Sequence, residues 1–173
     1  MNVVPFLQQS FVELHQAYIE AISGLDSAKV HWHPGNKANQ MAFVLWHYLR
    51  TQDNVIRFVL QRKPTIWMEG GWDKKFNLDS KAQGTGMLPE EAAGLRLEPW
   101  EEFPKYMKLV FKETEDYVAS VREDELTREV LIKPLGQLPL IRILGTTLLT
   151  HGYSHLGELW ALKGLQGMKG SPI

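Results

Sequence analysis

His151 and His155 stand four residues apart. On a helix such a pair shares one face, with Cβ atoms about 5 to 6 Å apart, close enough for two imidazoles to reach one metal ion at about 2.0 to 2.1 Å. Leu140, Leu144, Leu148 and Leu162 recur with them at helical spacing, so the pair lies on a stripe that faces a core. His47 is placed alike, on the stripe Val44, His47, Thr51, Val55 and Phe58. Three imidazoles in apolar surroundings need partners for their ring nitrogens, since an unpaired buried polar group costs about 1 to 3 kcal/mol. A shared cation satisfies all three at once; separate bonds to backbone carbonyls or water do so too, and spacing alone does not choose. Glu158, three residues beyond His155, shares this face about one turn further along. It can ligate a metal, orient a histidine, act as a base for bound water, or be an ordinary helix glutamate near a bundle end.

The remaining candidates read as less chemical. His31 and His33 alternate beside Trp32 and Pro34 and are expected to be surface or loop-packing residues. His15 stands beside the stripe of its helix and is expected at a boundary. Asp53, six residues after His47, falls roughly opposite it on an ideal helix, where a solvated charge is expected.

Several familiar chemistries fail by absence. Gly152 stands between the paired histidines where a zincin protease has its glutamate. No Glu-x-x-His occurs, so a ferritin-like di-iron site has no ligands. Gly84-Thr85-Gly86 lacks the rest of a nucleotide-binding motif and reads as a turn, and neither Ser10 nor Ser154 shows a triad arrangement. The chain has no cysteine, which excludes disulfides, thiolate-bound zinc, iron-sulfur clusters and a protein thiol nucleophile.

The elements that must position the histidines follow from apolar periodicity. Leu7, Phe11, Leu14, Tyr18 and Ile22 mark a first helix from Pro5 to about Ile22. The second, carrying His47, ends at Lys63-Pro64. Residues 64 to 97 are irregular, with one short helix opening at Pro89. Trp67, Trp72 and Phe76 there can pack, wall a site or form a lid. Trp100, Phe103, Met107, Val110, Thr114, Tyr117 and Val121 mark a third helix, with Pro99 in its first turn. A fourth runs from Leu138 to about Leu165; short extended pieces at 130–132 and 138–140 carry little weight. Four amphipathic helices without a convincing strand pattern predict an all-α bundle, one domain over residues 1–173.

The 173 residues, 44% hydrophobic and 23% charged, have an ordinary globular composition. Nineteen Lys and Arg against twenty Asp and Glu leave a net charge of −1. No basic field exists to hold nucleic acid or an anionic membrane, and no apolar run approaches the roughly 20 residues of a span. The amino-terminal MNVVPFLQQS lacks signal-peptide character, so a cytoplasmic location is expected.

The sequence resembles the DinB/YfiT-like family, the DNA-damage-inducible and thiol-transferase superfamily of metal-binding four-helix bundles. The resemblance spans nearly the whole chain. It rests on His47, the segment His151-x-x-x-His155-x-x-Glu158, the stretch Ile66-Trp67-Met68-Glu69-Gly70-Gly71-Trp72 and the ending Leu165-Gln166-Gly167-Met168-Lys169-Gly170. It implies an up-down-down-up bundle with a long crossover, His47, His151 and His155 as ligands of a divalent metal, and frequent homodimers. Glu158 stands where relatives have glutamine, adding a fourth ligand or a catalytic base.

By that resemblance the expected function is a zinc- or nickel-dependent transferase or hydrolase acting on a small molecule, with a low-molecular-weight thiol such as bacillithiol or mycothiol as co-substrate. The alternative is a non-catalytic, stress-related metal-binding protein whose metal is structural or sensory. An open coordination position distinguishes the first from the second.

Overall fold

The computed structural model describes residues 2–35 and 38–171. Helix α1 (Val3–Ile22) buries Leu7, Phe11, Leu14, Tyr18 and Ile22, the stripe its spacing requires. Helix α2 (Met41–Asp53) runs without a break into a wider π-helical stretch, Asn54–Leu60. Helix α3 (Phe103–Ser120) follows a single 3₁₀ turn, Trp100–Glu102. Helix α4 (His151–Leu165) continues a rod that begins at Leu140–Arg142 and passes through a second π-helical stretch, Ile143–Thr150.

The chain is mostly helical, as the periodicity predicts. α1 packs on α3 and α4, and α2 packs on the same two helices from the other side. Long-range bonds tie these contacts down. The Tyr18 hydroxyl donates to the Gly152 carbonyl at 2.9 Å, and Lys163 Nζ to the Ala21 carbonyl at 2.8 Å. The Val4 N–H donates to Glu123 at 2.8 Å, and Gln61 to Glu113 at 2.7 Å. Among the described residues no helix is long and apolar enough to cross a membrane.

The fourth helix starts later than its pattern predicts. Leu138 and Pro139 belong to strand β2 (Gly136–Pro139), which pairs antiparallel with β1 (Glu129–Ile132), Val130 opposite Leu138. Alternation along β1 buries Val130 and Ile132 while Glu129 and Leu131 face outward, so even a four-residue strand secures one apolar face.

Residues 64–97 contain three short helices, Ile66–Glu69, Trp72–Phe76 and the expected Pro89–Gly94. Their aromatics are core. Trp67 meets Tyr106 edge-on at 5.0 Å and stacks with Phe76 at 5.8 Å, and Phe76 reaches Phe103 at 5.9 Å. This covering makes α2 the central helix: eleven of its thirteen residues are buried, and His47 and Thr51 are the two that are not.

Burial of α2 on nearly all sides overturns the expectation for Asp53. It is 1% exposed, and its carboxylate accepts the Ile66 and Trp67 N–H groups, each at 2.9 Å, and the Tyr106 hydroxyl at 3.0 Å. The side opposite His47 is covered by the 64–76 segment, which a helical wheel drawn from α2 alone omits. Phe58 departs the other way, at 59% exposure, because it falls in the π-helical stretch where an α-helical stripe no longer applies.

His15 is likewise no boundary residue, being 2% exposed. Its Nδ1 lies 2.6 Å from Glu115, its Nε2 2.8 Å from Gln52, and its ring stacks on Phe111 at 3.9 Å. His31 packs its loop as expected: one ring nitrogen meets the Ser27 carbonyl at 2.8 Å and the other accepts the Leu97 N–H at 3.0 Å.

Candidate metal centre

His47 projects from the partly exposed strip of α2, and His151 and His155 from the first two turns of α4 where the rod leaves its π-helical stretch. One ligand atom from each of the three lies within 4.8 Å of the other two, and all three rings are half-buried. The ring centroids of His47 lie 5.2 Å from His151 and 5.1 Å from His155, with those two 4.5 Å apart, every pair near edge-to-face. About a hundred residues of sequence separate His47 from the others. The packing of α2 on α4 brings them together.

Two of the imidazoles have one nitrogen committed to a protein acceptor. His47 Nδ1 donates to the Gln83 carbonyl at 2.5 Å. His155 Nδ1 donates to the Glu158 carboxylate, one turn along α4. A carbonyl or carboxylate only accepts, so His47 and His155 each carry a proton on that side and turn Nε2 the other way. His151 Nε2 and His155 Nε2 then face each other at 2.8 Å. Two imidazole nitrogens at that distance share a proton or, with both bare, turn to one cation, and with His47 beside them the donor set fits a metal ion.

Electrostatics favours the same state. Burial pushes the His47 imidazole below its ordinary value, and nearby His155 adds to the effect. Burial, followed by the neighbouring His155 and His47, lowers His151 to about 4. Both rings are therefore neutral at physiological pH, the form that ligates.

Gly152 has a steric reason to stand between the paired histidines. A Cβ there would sit 2.5 Å from the Tyr48 hydroxyl and 2.6 Å from Leu14 Cδ2, so α4 approaches α1 and α2 this closely only with glycine.

The sequence pattern of the DinB superfamily matches residues 10–159. The chain belongs to the DinB superfamily. Its fold is similar to a solved structure described as the conserved protein of locus from Enterococcus faecalis, with a TM-score of 0.80 and 18% identity over 95% of this chain and 97% of that one. At that identity the likeness speaks for the fold alone. No curated protein matches the chain.

In this DinB-superfamily chain the three predicted histidines converge on a site able to hold a metal ion, and Glu158 stands behind His155, outside the converging group. His15, His31 and His33 lie outside that group as well. The acceptor Gln83 escaped sequence reasoning because it acts through backbone, which carries no residue-type signal. The GTG turn is the one hint, since Gly84 follows Gln83 and a Cβ there would lie 3.1 Å from His47 Nδ1.

Proposed function

We propose that the protein is a metal-dependent enzyme, a thiol-dependent transferase or hydrolase acting on a small molecule, with His47, His151 and His155 as the ligands of a zinc or nickel ion. The observation behind this reading is the convergence of three imidazoles, one ligand atom from each lying within 4.8 Å of the other two. A divalent ion at such a site supplies Lewis-acid chemistry, lowering the pKa of a water or thiol so that a nucleophile is available near neutral pH.

The chain's own contribution is orientation. Gln83 and Glu158 hold two of the three rings in place, and Glu158 keeps a proton at His155 Nδ1, turning His155 Nε2 toward the other histidines. Three protein ligands leave a coordination position open, as catalytic sites do. A closed structural or sensory site needs a fourth ligand, and the converging group among the described residues contains only the three histidines. Because the chain has no cysteine, the thiol comes from solution.

We further infer an up-down-down-up order of α1 to α4 with residues 61–99 as the crossover. It is supported by the bonds Val4 to Glu123 and Lys163 to Ala21, and by Tyr106 to Asp53 with Gln61 to Glu113, which advance together along the α2 rod and α3. A homodimer is part of the same reading, and sedimentation equilibrium tests it.

The decisive experiment is metal analysis of untagged protein followed by cobalt substitution and addition of a low-molecular-weight thiol. A bound divalent ion, and a sulfur-to-cobalt charge-transfer band on adding thiol, support the reading. Metal bound without any thiol-dependent spectral change refutes the thiol-dependent part, and protein that takes up no metal refutes all of it.

A further inference from the structure

Arg50 is 2% exposed and lies one turn beyond His47 on α2. A guanidinium stays charged in a protein, so its burial demands partners for its rigid set of donors. Asp53 supplies the countercharge, with Nη1 3.4 Å from Oδ2. The other donors point along a single stretch of backbone. Nη2 donates to the Ser80 carbonyl at 3.0 Å and Nε to the Ala82 carbonyl at 3.2 Å. The next residue is Gln83, whose carbonyl accepts the His47 Nδ1 proton.

Two side chains one turn apart on α2 thus grip three carbonyls of one strap, residues 80–83. Gly84 lets the strap close over the ring. Its φ is +84°, and a Cβ there would lie 3.1 Å from both His47 Nδ1 and the Phe43 ring. Arg50 is held in its own place by the face of Trp67, 5.1 Å away, and Asp53 by the Ile66 and Trp67 N–H groups.

We propose that Arg50 is a positioning residue for the metal centre. By holding the Ser80 and Ala82 carbonyls it sets the Gln83 carbonyl against His47 Nδ1, and so selects the tautomer whose bare Nε2 faces His151 and His155. The geometry explains the choice of arginine: a lysine ammonium is a point donor and cannot span two carbonyls and a carboxylate in a fixed fork. The affinity part of this inference rests on the three-histidine metal reading, whereas the tautomer part stands without it. If Arg50 merely locks the fold, its replacement lowers stability and leaves the His47 tautomer as it was.

The test compares wild type with Arg50→Lys, which keeps a charge for Asp53 and loses the fork. A double variant, Arg50→Gln with Asp53→Asn, removes both charges and leaves neither buried alone. Long-range ¹H–¹⁵N spectra of the metal-free proteins read the His47 tautomer, and competition with a chromophoric chelator reads zinc affinity. Wild-type His47 is expected as a single Nδ1–H tautomer. Either folded variant is expected to give a mixture of tautomers and about a tenfold loss of zinc affinity, at the lower end of what losing an outer hydrogen-bond partner costs.

A folded variant with the wild-type tautomer and zinc affinity within about twofold overturns the proposal. Wild-type protein that takes up no zinc would refute the metal reading instead, and the tautomer comparison would still decide whether Arg50 orients His47.

Discussion

Glu158→Gln separates a carboxylate that orients a ligand from one that is a ligand. In the structure Glu158 accepts the Nδ1 proton of His155 from one turn away, and its side chain is 47% exposed. Glutamine keeps the length and an acceptor oxygen but removes the charge, which makes the bond to His155 roughly half as strong. Losing such an outer partner generally costs about 10- to 100-fold in metal affinity. Half-exposure screens the carboxylate, so the lower end applies: about tenfold, or about 1.4 kcal/mol. His155→Ala removes one of three ligands outright and should cost much more.

The assay is zinc competition against a chromophoric chelator for wild type, Glu158→Gln and His155→Ala, untagged and at one ionic strength. Turnover with a thiol should fall in Glu158→Gln while most zinc remains bound. Loss of zinc from Glu158→Gln equal to that from His155→Ala would make Glu158 a fourth ligand and refute both the orienting role and the open site. Affinity unchanged within about twofold would show that the His155 contact does not matter to the metal.

Other predictions follow from the same geometry. His151→Ala should abolish tight zinc binding in that titration while His31→Ala leaves it intact, since His31 meets Ser27, Leu97 and Glu98 and lies outside the converging group; equal losses would mean another cluster binds the metal. Asp53→Ala removes a buried countercharge from Arg50 and an acceptor from two N–H groups, and should cost about 3 to 5 kcal/mol in urea unfolding; a cost below about 1 would refute its role as a buried countercharge. Burial holds His15 below its ordinary 6.5, against the opposing pull of Glu115. The unfolded chain therefore binds more protons, and this contribution to stability, complete above about pH 6.5, is lost as pH falls toward the folded value. Metal-free His15→Gln should show a shallower loss of urea midpoint than wild type between pH 7.5 and 5.5, the values chosen to bracket the ordinary histidine range, and an identical slope would refute it.

The long helices and the histidine trio are legible in the sequence. Apolar spacing located α1 and α3 to within a few residues, because each faces a core along one continuous stripe and period alone encodes that. His47, His151 and His155 were legible for the same reason, as polar residues on stripes that otherwise bury leucine and valine.

Only the tertiary structure decided what surrounds them. Period cannot tell that the 64–76 segment covers α2 from behind, so Asp53 reads as a solvated charge and is instead buried with Arg50. Nor can it foresee π-helical turns, which depend on packing and leave Phe58 outside the core. The bond that selects the tautomer of His47 comes from the backbone of residue 83, and every residue has a carbonyl. Residue types named the candidate ligands; the path of the chain past them supplies their orientation.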